Sequence, residues 1–444
     1  MTHMHQLALT VALLMPVAMD GALTAQASQV IIEDLSSQKI ALDNGRLEPN
    51  DVGRIAELNQ IAKILPGNGV FVEYQLHRAF DGTKLLDQRQ GFPRYLALVV
   101  KPNGDIDHVD LGLAAPLEEK IQQALRASEQ KLADAQALWR EVGELVVKPL
   151  AKATAVADTW FVSPDAELNR IPFAALSAPK AEGLFSEVIN LRLLTSGREL
   201  LDLANSSKTS AQKPLVVANP AFDRVEILPG SSGSSSIASK DSAQQHSSDL
   251  GSLRWRPLPG TAKEGKAVSA LINAKLLMGV KATELAVKEY EAPKVLHFAS
   301  HSYFLNNQGE GDNPLLRSGV VLAGANQFNA HSKNDGYLTA LEVSKLNLHG
   351  TEMVVVSCSE SHGLRSAIAV AGARSSLLSL WNIDDAATIA FMQSFYQRLK
   401  VGEGRADALA ATQKEFREHK IPGWRHPYVW AAFQLSGDWE PMQW

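Results

Sequence analysis

The sequence predicts an α/β protein built on a largely parallel sheet flanked by helices. Three observations carry that expectation. Short apolar runs bounded by turn residues recur along the chain, and amphipathic stretches at helical spacing alternate with them. The 444 residues are 45% hydrophobic and 20% charged, which suffices for a sizeable core. The length allows two or three domains, or one large two-part unit.

Residues 1–65 read as a helical N-terminal extension, with Val52, Ile55, Leu58, Ile61 and Ile64 at helical spacing. Within it, 7–19 is mostly apolar and Ala25-Gln26-Ala27 has the small-residue pattern of a cleavage site. No Lys or Arg precedes Lys39, and Pro16 and Asp20 interrupt the run, so a cytoplasmic protein is expected, with export as the alternative. After Pro66-Gly67-Asn68-Gly69 the pattern turns to strands. Val70-Phe71-Val72-Glu73-Tyr74 and Tyr95-Leu96-Ala97-Leu98-Val99-Val100 are buried strands, and 106–112 alternates as a hairpin arm across Pro102-Asn103-Gly104. A long amphipathic segment fills 117–150. Thr159-Trp160-Phe161-Val162 is a further strand, and Leu215-Val216-Val217-Ala218-Asn219-Pro220 closes a first half spanning 66–228.

The Ser-rich tract 229–249 cannot bury enough apolar surface to offset the entropy of ordering, and it reads as a flexible loop. The second half, 250–444, repeats the alternation. Strands are expected at 294–299, 319–322, 353–357, 376–381 and 430–435, and helices at 262–272, 339–345, 364–370, 386–399 and 406–419. In open α/β sheets, chemistry concentrates just past the carboxyl ends of strands. Three such ends carry polar groups: His301, Ser357-Cys358-Ser359-Glu360, and Asn382-Ile383-Asp384-Asp385.

Composition narrows the function classes. A formal charge of −5 does not imply the clustered cationic surface that nucleic acid needs, and no run of 18 apolar residues exists for a membrane span. Cys358 is the only cysteine, so an intrachain disulfide and a multi-thiolate zinc site are both excluded. His297 and His301 have helical zinc spacing, but their segment reads as strand, where four residues span roughly 13 Å, so no metal site is expected. No Walker-type phosphate loop and no G-x-S-x-G elbow occurs, and no cofactor is expected. His426 sits among Trp424, Tyr428, Trp430 and Phe433, which points to packing.

His301 beside Cys358 or Ser359 is the minimal pair of general base and nucleophile, if their two strands are neighbours. Spacing alone leaves that open. The surrounding segments, in order, add to it: Leu258-Pro259-Gly260-Thr261-Ala262-Lys263-Glu264, Ala282-Thr283-Glu284, Val295-Leu296-His297-Phe298-Ala299-Ser300-His301, Asp335-Gly336-Tyr337-Leu338-Thr339-Ala340, Ser379-Leu380-Trp381-Asn382-Ile383-Asp384-Asp385 and His426-Pro427-Tyr428-Val429-Trp430. With Ile171-Pro172-Phe173-Ala174-Ala175-Leu176 and Asn219-Pro220 upstream, the chain from about residue 65 onward resembles the CHAT domain family, relatives of caspases, separases and gingipains.

The resemblance implies a caspase–haemoglobinase-like second half preceded by an α/β half that is pseudo-peptidase-like. It matches His301 to the general base and puts the backbone N–H of Ser302, where the family has glycine, at the oxyanion hole. It also implies a departure at the nucleophile. The family's Ser-Ala-Cys-Glu-Thr block aligns without a gap to Ser357-Cys358-Ser359-Glu360-Ser361, so Ser359 stands in the nucleophile's place and Cys358 in the alanine's. Adjacent side chains of an extended strand face opposite ways, so a thiol at 358 points away from a base facing 359. Asp384 and Asp385 either line a pocket favouring Lys or Arg before the scissile bond or cap the next helix. The expectation is a catalytically degenerate module that binds a protein or peptide partner, a TPR-containing protein among them, with a basic-specific endopeptidase as the alternative.

Overall fold

The computed structural model describes residues 49–80, 90–179, 182–205, 211–224, 250, 253–305, 313–327, 334–358 and 361–444. Most of the 1–65 extension and the whole Ser-rich 229–249 tract lie outside the described residues. Residues 1–206 and 207–444 form two compact units.

The first unit carries β1 (Gly69–Phe80), β2 (Gln90–Val100), β3 (Ile106–Leu113), β4 (Thr159–Ser163) and β5 (Asn190–Leu193), in the order β3-β2-β1-β4-β5. Its first three strands form an antiparallel meander, and β4 and β5 continue it in parallel. The turn between β2 and β3 falls where Pro-Asn-Gly predicts it. Gly104 adopts φ +88°, which costs a residue without Cβ nothing, and its N–H donates to the Lys101 carbonyl at 3.0 Å. The amphipathic stretch after β3 divides into helices Ala114–Glu129 and Ala135–Val146. Their apolar faces meet around Trp139, fully buried, whose indole N–H donates to Ser128 Oγ at 2.8 Å.

The second unit is the more parallel. β6 (Leu215–Pro220), β7 (Lys275–Gly279), β8 (Val295–Ala299), β12 (Met353–Val356), β13 (Ser375–Ser379) and β14 (Phe433–Gly437) stand in the order β14-β13-β12-β8-β6-β7. Only the β13–β14 pair among them is antiparallel. Parallel neighbours need crossover connections. Helices Pro259–Ile272, between β6 and β7, and Arg365–Val370, between β12 and β13, supply two of them. A separate three-stranded sheet joins β9 (His301–Phe304), β10 (Ser318–Val321) and β11 (Tyr337–Thr339) in the order β11-β10-β9.

The two faces of the six-stranded sheet differ in chemistry. Leu215, Val217, Leu296, Phe298, Val354, Val356 and Leu378 turn to one face and bury against Ala340, Val343, Ala367 and Ile368. Because strand side chains alternate, His297 turns to the other face. There it meets Glu264 of helix Pro259–Ile272 and Tyr396 of helix Asp385–Lys400.

Several expectations need correction. The strand at Leu215–Pro220, read as the close of the first half, pairs with β7 and β8 and belongs to the second unit. Trp430 ends a short helix, Pro427–Trp430, and the last strand begins at Phe433. Proline at the helix's first position and His426 capping it, its Nδ1 accepting from the Tyr428 N–H at 3.1 Å, override the β-propensity of the aromatic run. No helix of the described residues is long and apolar enough to cross a membrane.

Candidate functional site

β8 and β12 are hydrogen-bonded neighbours, with Val356 opposite Phe298, and β13 lies beside β12. The three polar segments singled out in the sequence therefore follow the carboxyl ends of three adjacent parallel strands. Ser359 and Glu360 lie outside the described residues.

The alternation of β12 continues through Ser357 and Cys358. Val354, Val356 and Cys358 share the apolar face, and the Cys358 thiol is buried there, 3.8 Å from the Phe298 carbonyl that accepts its weak hydrogen bond. Burial pushes this thiol up to about 12, against the smaller opposing effect of a hydrogen bond from the Ser300 backbone. A thiol so placed carries almost no thiolate at neutral pH. Ser357 turns the other way. Its hydroxyl donates to Glu264 Oε1 at 2.6 Å, and the same oxygen lies 3.1 Å from His297 Nε2. His297 Nδ1 is 3.1 Å from the Tyr396 hydroxyl. His297 and Glu264 are both buried, so this carboxylate is held by partners rather than by water.

His301 opens β9, opposite Val321 of β10. Its Nε2 lies 2.9 Å from the Arg256 carbonyl, which can only accept. Nε2 therefore carries the proton, and in the neutral ring Nδ1 keeps the lone pair. Burial lowers the tendency of this imidazole to protonate, with the Arg256 carbonyl opposing it. The ring packs against Phe222 and Trp255, at centroid separations of 5.2 and 5.1 Å. Phe222 belongs to a second apolar cluster with Tyr303, Val321 and Tyr337, against which Trp255 also packs. The small sheet turns Val320 and Leu338 to the Cys358 cluster and Tyr303, Val321 and Tyr337 to the other. Imidazole and thiol thus bond different carbonyls and pack in different clusters. Ser302 is buried within β9, opposite Val320.

The acidic pair after β13 divides its work. Asp384 is the N-cap of helix Asp385–Lys400, its Oδ1 accepting from the Ala386 and Ala387 N–H groups at 3.0 and 3.2 Å. Asp385 lies against Gly260, where an added Cβ would fall 1.8 Å from its Oδ2. Partial burial raises the Asp385 carboxyl above the usual range, helped by the charges of Asp384 and Glu264. His297, one of the two histidines considered for a metal, is bound instead to Glu264 and Tyr396.

Three participants escaped the sequence reading: Glu264 as the buried partner of Ser357 and His297, the Arg256 carbonyl, and Trp255. Glu264 lies in a recognised block, and its apolar helix face was the available signal. A backbone carbonyl that bonds across 45 residues leaves no mark in the sequence.

Comparison with known proteins agrees with the resemblance. The CHAT domain family model matches residues 132–438. Tetratricopeptide repeat protein 28 of Homo sapiens is 26% identical over 305 residues, covering 62% of this chain and 12% of that protein. Its Mus musculus counterpart is 27% identical over 214 residues, covering 41% and 9%. The chain thus spans about an eighth of the human relative or less. Among solved structures, the Saccharomyces cerevisiae separase–securin complex aligns with 86% of this chain and 30% of that one, at 9% identity and a TM-score of 0.48. The Arg-specific cysteine proteinase gingipain R aligns with 73% of this chain and 74% of its own, at 10% identity and a TM-score of 0.36.

Proposed function

The chain belongs to the CHAT domain family, and from that premise we propose that it is a catalytically degenerate member that acts as a binding module for a protein or peptide partner. One observation carries the reading: the only thiol, Cys358, lies in the apolar core on the Phe298 carbonyl with its acidity suppressed. Cysteine-peptidase chemistry needs a thiolate within reach of its base. The family's register gives the nucleophile's position to Ser359, and a serine hydroxyl is far less acidic than a thiol. A histidine oriented by a carbonyl rather than a carboxylate activates it weakly. Similarity to tetratricopeptide repeat protein 28 supports a TPR-containing partner, and a cytoplasmic setting is part of this proposal.

A second reading is favoured by the state of His301. A neutral imidazole with its Nε2 proton on a carbonyl has the form of a general base, and Ser359 would then be its nucleophile, with the Ser302 N–H as oxyanion donor and Asp385 selecting Lys or Arg. Incubation of the purified chain with a peptide carrying Arg or Lys before an electrophilic warhead separates the two. The binding-module reading expects no adduct by intact mass. An adduct abolished by Ser359→Ala and kept in Cys358→Ala establishes the serine reading, and one abolished only by Cys358→Ala overturns both.

A further inference from the structure

The segment 253–256 crosses the small sheet as a strap, and its attachment is specific. The Trp255 N–H donates to Asn326 Oδ1 at 2.8 Å, and Asn326 Nδ2 donates back to the Trp255 carbonyl at 2.9 Å. The same Nδ2 reaches Asp223 Oδ1 at 2.8 Å, tying the clamp to the turn after β6. The Trp255 indole N–H donates to the Tyr337 hydroxyl at 2.8 Å, and that hydroxyl donates to the Leu250 carbonyl at 3.1 Å. Asn326 itself is set by its N–H on the Phe222 carbonyl at 2.9 Å. Phe222 and Trp255, the two rings packed against His301, are therefore anchored through one asparagine side chain and its backbone.

We propose that Asn326 and Tyr337 are positioning residues for His301: by clamping Trp255 they place the carbonyl of the next residue, Arg256, on Nε2 and so fix which ring nitrogen keeps a lone pair. A backbone carbonyl offered by an unclamped strap would not hold a ring to one orientation, because each extended residue leaves two soft dihedrals. Two reciprocal hydrogen bonds at the Trp255 backbone remove that freedom one residue before the carbonyl is needed. The device rests on the assignment of His301 to the base position, but it works whether or not a nucleophile is present.

The test reads the imidazole, not turnover. In the full chain, with His301→Gln to assign the signal, the Nε2 proton of His301 is expected to be protected from solvent exchange. Asn326→Ala is expected to accelerate that exchange about tenfold or more. The ring proton of His297, which lies on the six-stranded sheet and is held by Glu264, serves as internal reference and is expected to stay unchanged. General loosening of the fold would move both. Should Asn326→Ala fail to fold, Tyr337→Phe removes a single hydroxyl and is expected to act in the same direction. Exchange at His301 that is unprotected in the parent chain, or unaltered by the clamp variants while Trp255 remains ordered, overturns the proposal. The electrophile experiment above is independent of this one, so a failure of either reading is told apart from a failure of the other.

Discussion

The two faces of the six-stranded sheet hold their polar groups by opposite means. On one face Glu264, His297, Tyr396 and Ser357 form a closed hydrogen-bonded set in which each buried group has a partner. On the other, Cys358 sits among aliphatic side chains with one weak bond to a carbonyl. A residue's chemistry here follows from which face it takes, and consecutive residues of one strand end take different faces. Ser357 gains a carboxylate and Cys358 loses its acidity, although they are adjacent in sequence.

The largest expected effect breaks the polar face. His297→Ala leaves the Glu264 carboxylate in the core with one hydroxyl for company, and a loss of about 3–5 kcal/mol in chemical denaturation is expected. A loss under about 1 kcal/mol would mean water reaches that face.

The next effect sharpens the contrast at the rim of the apolar face. Glu284, buried there, accepts from the Asp335 N–H at 3.1 Å, and the pair shares its surroundings with Glu342 and Lys288. Desolvation, and then the charges of Glu342 and Asp335, push the Glu284 carboxyl up to about 8, and desolvation pushes Asp335 up to about 6. Both folded values lie above the ordinary carboxyl range, so these two groups bind more protons in the folded state than in the unfolded. Their contribution to stability is therefore complete below about pH 4 and is lost as pH rises through about 6 to 8. Denaturation midpoints across that range check it, and Glu284→Gln is expected to flatten the slope.

Cys358→Ser tests the apolar face more gently, at about 1–3 kcal/mol for a hydroxyl placed among aliphatic groups. In the native chain iodoacetamide at pH 8 is expected to leave Cys358 unlabelled and to label it fully in denaturant, read by mass. The smallest effect separates the acidic pair. Asp384→Ala removes a helix cap at about 1 kcal/mol, whereas Asp385→Ala, which caps nothing, is expected to change stability by less than about 0.5 kcal/mol.

Much of the site was legible because strand periodicity is local. The apolar runs at 294–299 and 353–357 identified β8 and β12, and the same period of two is the ground for expecting a thiol at 358 to point away from a base facing 359. A cap at Asp384 or Asp385, one of the two readings of that pair, was legible for the same reason, since a cap is satisfied within one turn. β7 and β9 were not anticipated, because strands of five and four residues carry too little pattern to separate from loop. β6 was recognised as a strand yet given to the wrong half, since pairing partners are set by the sheet and not by the strand's own residues.

What the sequence determined by itself was the family and the alternation of helix and strand. Both depend on residue identity and short-range order, which a chain carries before it folds. Only the tertiary structure decided that His301 points its Nε2 at the Arg256 carbonyl and that Glu264 holds Ser357. Those bonds join groups 45 and 93 residues apart, and their geometry exists only once the strands, the strap and the helix have packed.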